Sequence, residues 1–162
     1  MITLKAVIDE DYSHVEGVAM VLAFPYCSFK CCRDAGFPSS LCHNNPVSKL
    51  PNKIYRVEDI LKRYLSNPIS NCIVCAGLEP IDSISDLLEF ISYCREDAHC
   101  DDPIAIYTGY RYDELPECIT LLGKRYSNII LKVGRFIPNY PSHIDPILKV
   151  PLASPNQYAI RL

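Results

Sequence analysis

Short apolar runs recur along the chain: GVAMVLAF (17–24), NCIVCAG (71–77), PIAIYTG (103–109), NIILKVG (128–134) and QYAIRL (157–162). The core runs are apolar at nearly every position rather than at alternate ones. A strand apolar on both faces must be covered on both, and such strands belong to parallel sheets packed against helices. The pattern therefore predicts an α/β fold with a mostly parallel sheet of about five strands covered by helices.

The segments between the runs supply the helices. From Val57 to Leu65, the residues Val57, Ile60, Leu61, Tyr64 and Leu65 fall at helical spacing, and Asn67-Pro68 stops the helix. A second helix is expected from Asp82 or Ser83, with Ile84, Leu87, Leu88, Ile91 and Cys94 as its apolar stripe and Ser83 with Asp86 as a capping pair. A third is expected over residues 112–122, with Pro116 early enough to be tolerated in a first turn. A complete eight-fold barrel takes about 250 residues. The 162 residues here predict instead an open, partial β/α barrel forming a single domain over 1–162.

Ligands of such sheets bind beyond the carboxyl ends of the strands. Two long irregular stretches, 25–56 and the proline-rich 135–156, follow predicted strands on that side. Loops of such length in a compact domain are usually functional or disordered.

Composition narrows the setting. Sixteen Lys and Arg against nineteen Asp and Glu leave a net charge of -3, with the cations scattered, so there is no footprint for nucleic acid. No apolar run approaches the roughly 20 residues of a membrane helix, and MITLKAVIDEDY lacks the apolar core of a signal peptide. A cytoplasmic protein without a membrane partner is expected. A reducing compartment and an odd count of nine cysteines argue against a disulfide framework.

Four of those cysteines crowd into PYCSFKCCRDAGFPSSLCHNN (25–45) beside His43. Cys27 and Cys31 lie four apart, a span that can wrap a metal centre. Cys31 and Cys32 are adjacent, and neighbouring side chains diverge in extended backbone, so one small centre would not take both. Cys42 is the natural third thiol, because Gly36, Pro38 and two serines let the chain fold back. A structural zinc site, with four closed ligands, would need Cys27, Cys31, Cys42 and His43 at untypical gaps. Three thiolates suit a four-iron cluster with one iron left open.

The loop resembles that of the radical S-adenosylmethionine superfamily, whose signature is C-x3-C-x2-C after the first strand. Cys27-x3-Cys31 matches, whereas Asp34 stands where the third cysteine belongs. The run CSFKC followed by a glycine-bearing insert and CHN is similar to a short subgroup with an extended loop. Ala76-Gly77-Leu78-Glu79-Pro80 resembles the superfamily's G-G-E-P element. IYTGY (106–110), GRFIPN (134–139), DPIL (145–148) and ASPNQYAI (153–160) are similar in order and spacing to elements of the anaerobic ribonucleotide reductase activating proteins. The resemblance covers most of the chain from about Phe24 onward. It departs at Gly134-Arg135-Phe136 and at Ala153-Ser154-Pro155, where the subgroup carries Asp-Gly and Gly-Ser-Ser.

This resemblance implies a partial β/α barrel on which Cys27, Cys31 and Cys42 hold a 4Fe-4S cluster. It implies that Gly77 and Glu79 secure the amino end of S-adenosyl-L-methionine, with Tyr107, Thr108, Tyr110, Asn156 and Gln157 as further contacts to the cofactor or a partner. The implied activity is reductive cleavage of S-adenosylmethionine to a 5'-deoxyadenosyl radical. The radical takes a hydrogen atom from a backbone glycine of a larger glycyl radical enzyme such as anaerobic ribonucleotide reductase, and a flavodoxin or ferredoxin supplies the electron. A radical enzyme acting on a small molecule or peptide and a non-catalytic zinc or cluster-binding module are the alternatives.

The other cysteines read mostly as packing. Cys72 and Cys75, three apart in a strand, should face opposite sides as buried wall residues, with Cys75 near the cofactor. Cys94 and Cys118 read as core, and Cys100, in the polar turn HCDD, as an exposed or half-buried thiol. His14, His99 and His143 read as surface residues, whereas His43 could lie near the cluster. Phe29 is a candidate to pack on the adenine or the loop, and Lys30, Arg33 and Lys49 are candidates to offset a cluster's negative charge.

Overall fold

The computed structural model describes all 162 residues. In chain order the strands and helices are β1 (Ile2–Leu4), β2 (Ala6–Asp11), β3 (Ala19–Phe24), α1 (Lys30–Ala35), α2 (Asn45–Ser48), β4 (Lys53–Tyr55), α3 (Val57–Leu65) and β5 (Cys72–Gly77). There follow α4 (Ile84–Ser92), β6 (Ile104–Tyr107), α5 (Glu117–Thr120), α6 (Leu122–Arg125), β7 (Ile129–Val133), β8 (His143–Ile144), β9 (Pro151–Leu152) and β10 (Tyr158–Arg161).

The fold is α/β. Six strands form the main sheet in the order β10-β7-β6-β5-β3-β2. The four central strands are parallel, and they are the four runs read as apolar on both faces. Both edges are antiparallel: β2 on β3, and β10 on β7. The sheet thus has one strand more than expected. The extra one, β2, hides in the sequence because an edge strand half-open to water carries the charged run Asp9-Glu10-Asp11.

Alternation within each strand divides the core. Met20, Leu22, Phe24, Ile73, Cys75, Ile104, Ile106, Ile129 and Leu131 face one way and pack on Val57, Ile60, Leu61 and Tyr64 of α3, on Leu87, Phe90 and Ile91 of α4, and on Ile119 and Leu122. Burying each such side chain contributes about 1.5–3 kcal/mol. The opposite face presents Ala19, Val21, Cys72, Val74, Ala76, Ala105 and Ile130 to Leu148, Val150 and Leu152. Helices therefore cover one face only, and the irregular C-terminal stretch covers the other. Asp145 organises that stretch: its buried carboxylate accepts the N–H groups of Ile147 at 2.9 Å, Leu148 at 2.8 Å and Ala159 at 2.8 Å.

Three helix expectations need correction. The helix over 112–122 is broken into a 3-10 turn at Tyr112–Glu114, then α5 and α6, because Leu115 and Pro116 are extended and Pro116 stands before the first turn of α5. Ser83 makes no side-chain cap on α4, and Asp86 instead accepts the N–H of Thr3 at 2.9 Å, tying β1 to the helix. Leu65 points outward from the end of α3. Beyond α4 the chain widens into a π turn at Tyr93–Asp97. There the buried Arg95 donates to the carbonyls of Cys100, Asp102 and Ser127.

Candidate functional site

Beyond the carboxyl ends of the parallel strands lies a cleft of about 280 Å³. Cys27, Cys31 and Cys42 line it on the loop side, and Gly77, Glu79, Tyr107, Thr108 and Gln157 line it on the side of the sheet and C-terminal segment. Eight of the ten sequence-predicted site residues are thus brought together. The other two are not. Tyr110 turns away to donate its hydroxyl to Asp82 at 2.6 Å, and Asn156 lines a separate groove, its amide donating to the Arg135 carbonyl at 2.8 Å.

The loop wall is partly helical. Phe29 takes a left-handed conformation, φ 53, and α1 starts behind it. Cys31 and Cys32 therefore sit about 100° apart on a helix rather than on opposite sides of an extended chain. Both line the cleft, and Cys32 is the more buried. Cys42 follows the 3-10 turn Ser39–Leu41. Burial pushes the Cys27 thiol up to about 12, an N–H from Phe29 opposes this, and the acids Glu79 and Asp82 reinforce it. Burial also raises Cys31 and Cys32, the latter with its neighbour Cys42 adding to the effect. No group of three or more Cys, His, Asp or Glu is close enough to hold a single metal ion.

A buried arginine fixes this wall to the sheet. Arg135, following β7 and 6% exposed, donates Nη1 to the Gly109 carbonyl at 2.8 Å, Nε to Asp34 at 2.8 Å and Nη2 to Glu114 at 2.6 Å. Lys30 bridges the same two acids at 2.8 and 3.2 Å. Asp34, two residues after Cys32, is thus one of the two acids of an ion-pair latch. Glu114 loses some solvation, which raises it, yet the N–H of Arg111 and the charges of Arg135 and Lys30 hold it down to about 2. Farther along, Lys5 donates to the carbonyls of Leu50 at 2.6 Å and Ser48 at 3.2 Å and anchors the end of the loop.

The opposite wall is built on close approaches. Gly77 has φ 86, and a Cβ there would lie 2.6 Å from the Ala23 Cα, so the strand end admits only glycine. A Cβ on Gly109 would lie 2.3 Å from Cys31 Sγ. Glu79, 5% exposed, accepts the N–H of Gly109 at 2.8 Å on one oxygen and that of Ile81 at 3.2 Å on the other. Burial nevertheless pushes its carboxyl up to about 7, against the hydrogen bonds from Gly109, Thr108 and Ile81.

Several cleft residues had no signal in the sequence. Lys132 is buried on β7 and lines the cleft, its ammonium pulled down to about 8 by burial, with Glu79 and Cys31 pulling the other way. Its position inside an apolar strand gave no hint of charge exposed to a ligand. His14, read as a surface residue, lines the cleft with Nδ1 2.6 Å from Asp11 and its ring edge-on to Tyr107 at 5.1 Å. Phe136 also lines it and packs against His43 at 4.5 Å. Of the cations proposed from the loop, Lys30 is used by the latch and Arg33 by the Ser28 carbonyl.

The remaining cysteines divide as their strands do. Cys72 faces the C-terminal segment and Cys75 the helices, so Cys75 is walled off from the cleft. Cys94 is core as read, but Cys100 is buried and Cys118 exposed, both the reverse of expectation. The cause is Arg95, which draws the Cys100 carbonyl inward, and the break at Pro116, which turns Cys118 out.

Compared with known proteins, the chain matches no family model and no curated protein sequence. No helix is long and apolar enough to cross a membrane.

Proposed function

We propose that the chain is a radical S-adenosylmethionine protein that generates a glycyl radical on a larger partner enzyme, such as anaerobic ribonucleotide reductase. On this reading the six-stranded sheet is an open, partial β/α barrel. The observation that carries it is the placement of Cys27, Cys31 and Cys42 on one wall of a cleft whose facing wall holds Gly77 and Glu79 at the end of β5.

The donor set suits a cluster better than one ion. No three Cys, His, Asp or Glu are gathered to hold one zinc ion, whereas three thiolates would suffice for a four-iron cluster with one iron left open. Cys27, Cys31 and Cys42 would hold it. When bound, the reduced cluster supplies the electron that splits S-adenosylmethionine into methionine and a 5'-deoxyadenosyl radical, with flavodoxin or ferredoxin as donor.

The chain's own residues bind and orient. Cys27, half-buried and protonated without metal, must give up its proton to ligate, as must Cys31, so loading is favoured by raised pH. Glu79 is fixed by backbone N–H groups on both oxygens, so its carboxylate is aimed before an ammonium arrives to donate to its remaining lone pairs. Gly77, whose Cβ position is taken by the Ala23 backbone, lets the chain turn with positive φ at the strand end that leads to Glu79. Phe29, Phe37 and Phe136 line the loop side with apolar surface that keeps water from a reactive radical.

The test is anaerobic reconstitution with iron and sulfide, then dithionite and S-adenosylmethionine, with 5'-deoxyadenosine measured. Turnover is expected in the native chain and in Cys32→Ala, and its loss in Cys42→Ala. An added glycyl radical enzyme should acquire a glycyl signal by electron paramagnetic resonance. No iron uptake by the intact chain, or one equivalent of zinc instead, would sink the reading.

A further inference from the structure

Lys132 stands at the cleft end of β7, paired across the sheet with Tyr107 on β6 and Ala159 on β10. It is 7% exposed and its side chain reaches the cleft, where Nζ keeps some exposure and makes no hydrogen bond or ion pair within the protein. Glu79 and Cys31 are the nearest acidic groups, and neither makes a hydrogen bond or ion pair with it. What positions the ammonium is the ring of Tyr107, whose centroid lies 5.7 Å from Nζ. That ring is itself fixed, edge-on to His14 and with its hydroxyl on the His14 carbonyl.

An ammonium largely shielded from water, with its donors unspent, is costly unless an acceptor arrives. Around it the walls include the small side chains of Ala76 on β5, two strands away, and of Ala153, both lining the cleft, so an oxyanion has room. An apolar residue at this place would have extended the core of Ile130 and Ala105 at no desolvation cost.

We infer that Lys132, held against Tyr107, is an oxyanion-binding residue that takes the carboxylate or phosphate of a small molecule bound in the cleft. It stands on the chain's own side chains and does not depend on the cluster. The oxyanion has two possible sources, the carboxylate of S-adenosylmethionine or an acidic group of a separate substrate, and the experiment separates them.

The full chain, purified anaerobically and carrying 13C at lysine Cε, is titrated with sodium acetate and with inorganic phosphate, both with and without reconstituted cluster. The Lys132 signal, assigned by its absence in Lys132→Met, is expected to shift and saturate while the exposed lysines move little. By calorimetry Lys132→Met should bind the same anions about ten- to a hundredfold more weakly, the range for one charge-assisted hydrogen bond. Lys132→Arg should recover part of that loss, which guards against a merely structural effect. Displacement of phosphate by S-adenosylmethionine assigns the seat to the cofactor's carboxylate, and simultaneous binding assigns it to a separate acidic substrate; either supports the inference. A Lys132 signal unmoved by acetate and phosphate, or undiminished binding in Lys132→Met, would overturn it whether or not iron is taken up.

Discussion

Replacing Arg135 by methionine removes four hydrogen bonds at once and keeps most of the side-chain volume. The cost can be worked from its partners. Asp34 is 39% exposed and keeps Lys30, so that pair is screened and contributes little. Glu114 keeps Lys30 and the N–H of Arg111. The Gly109 carbonyl is left with only the thiol of Cys31 at 3.7 Å, a weak donor. With a charge-assisted bond contributing about 1.5–3 kcal/mol and the acids partly compensated, the loss should be about 2–4 kcal/mol. Urea unfolding of the anaerobic protein should show a midpoint lower by roughly 1–2 M. Asp34→Asn should cost about 1 kcal/mol or less. A midpoint for Arg135→Met within about 0.3 M of the native one would refute the latch, since no other contact described would absorb such a loss.

Glu79 makes stability depend on pH in a distinctive direction. Its carboxyl ordinarily titrates near 4.5 but is held up at about 7 in the fold, so the folded state binds the proton more tightly than the unfolded one. Stability should therefore fall as pH rises from 4.5 to about 7, by an amount on the order of 3 kcal/mol. Glu79→Gln should flatten that slope in thermal melts of the metal-free chain, and a slope unchanged in the variant would contradict the assignment. Gly109→Ala places a methyl against Cys31 Sγ. It should cost about 1–3 kcal/mol by overpacking and speed alkylation of Cys31, measured by mass spectrometry.

What was legible in the sequence is what is encoded by local pattern. The four parallel strands announce themselves because each is buried on both faces, and α3 and α4 because their apolar stripes match the helical period. β2 escaped because an edge strand needs no such pattern. The break at Pro116 escaped because proline is compatible both with a first helical turn and with the extended residue before one, and only tertiary packing chooses. At the site, the three cysteines and the strand-end glycine could be named from spacing and resemblance. Lys132, Arg135 and His14 could not, because their importance lies in partners 93 to 101 residues away or in the absence of partners.

The cysteine loop is pinned at three separated places: near its start by the N–H of Glu79 on the Tyr26 carbonyl, in its middle by Arg135 on Asp34, and near its end by Lys5 on Leu50. A long free loop would have to be closed by whatever binds it, whereas closure entropy here is met span by span through the protein's own contacts. Small metallo-domains that fold only around their metal spend binding free energy on ordering the chain. In this chain the thiols stand presented beforehand. On the proposed reading cluster capture would be docking onto an existing wall, and its cost would lie in deprotonating Cys27 and Cys31 rather than in ordering the loop.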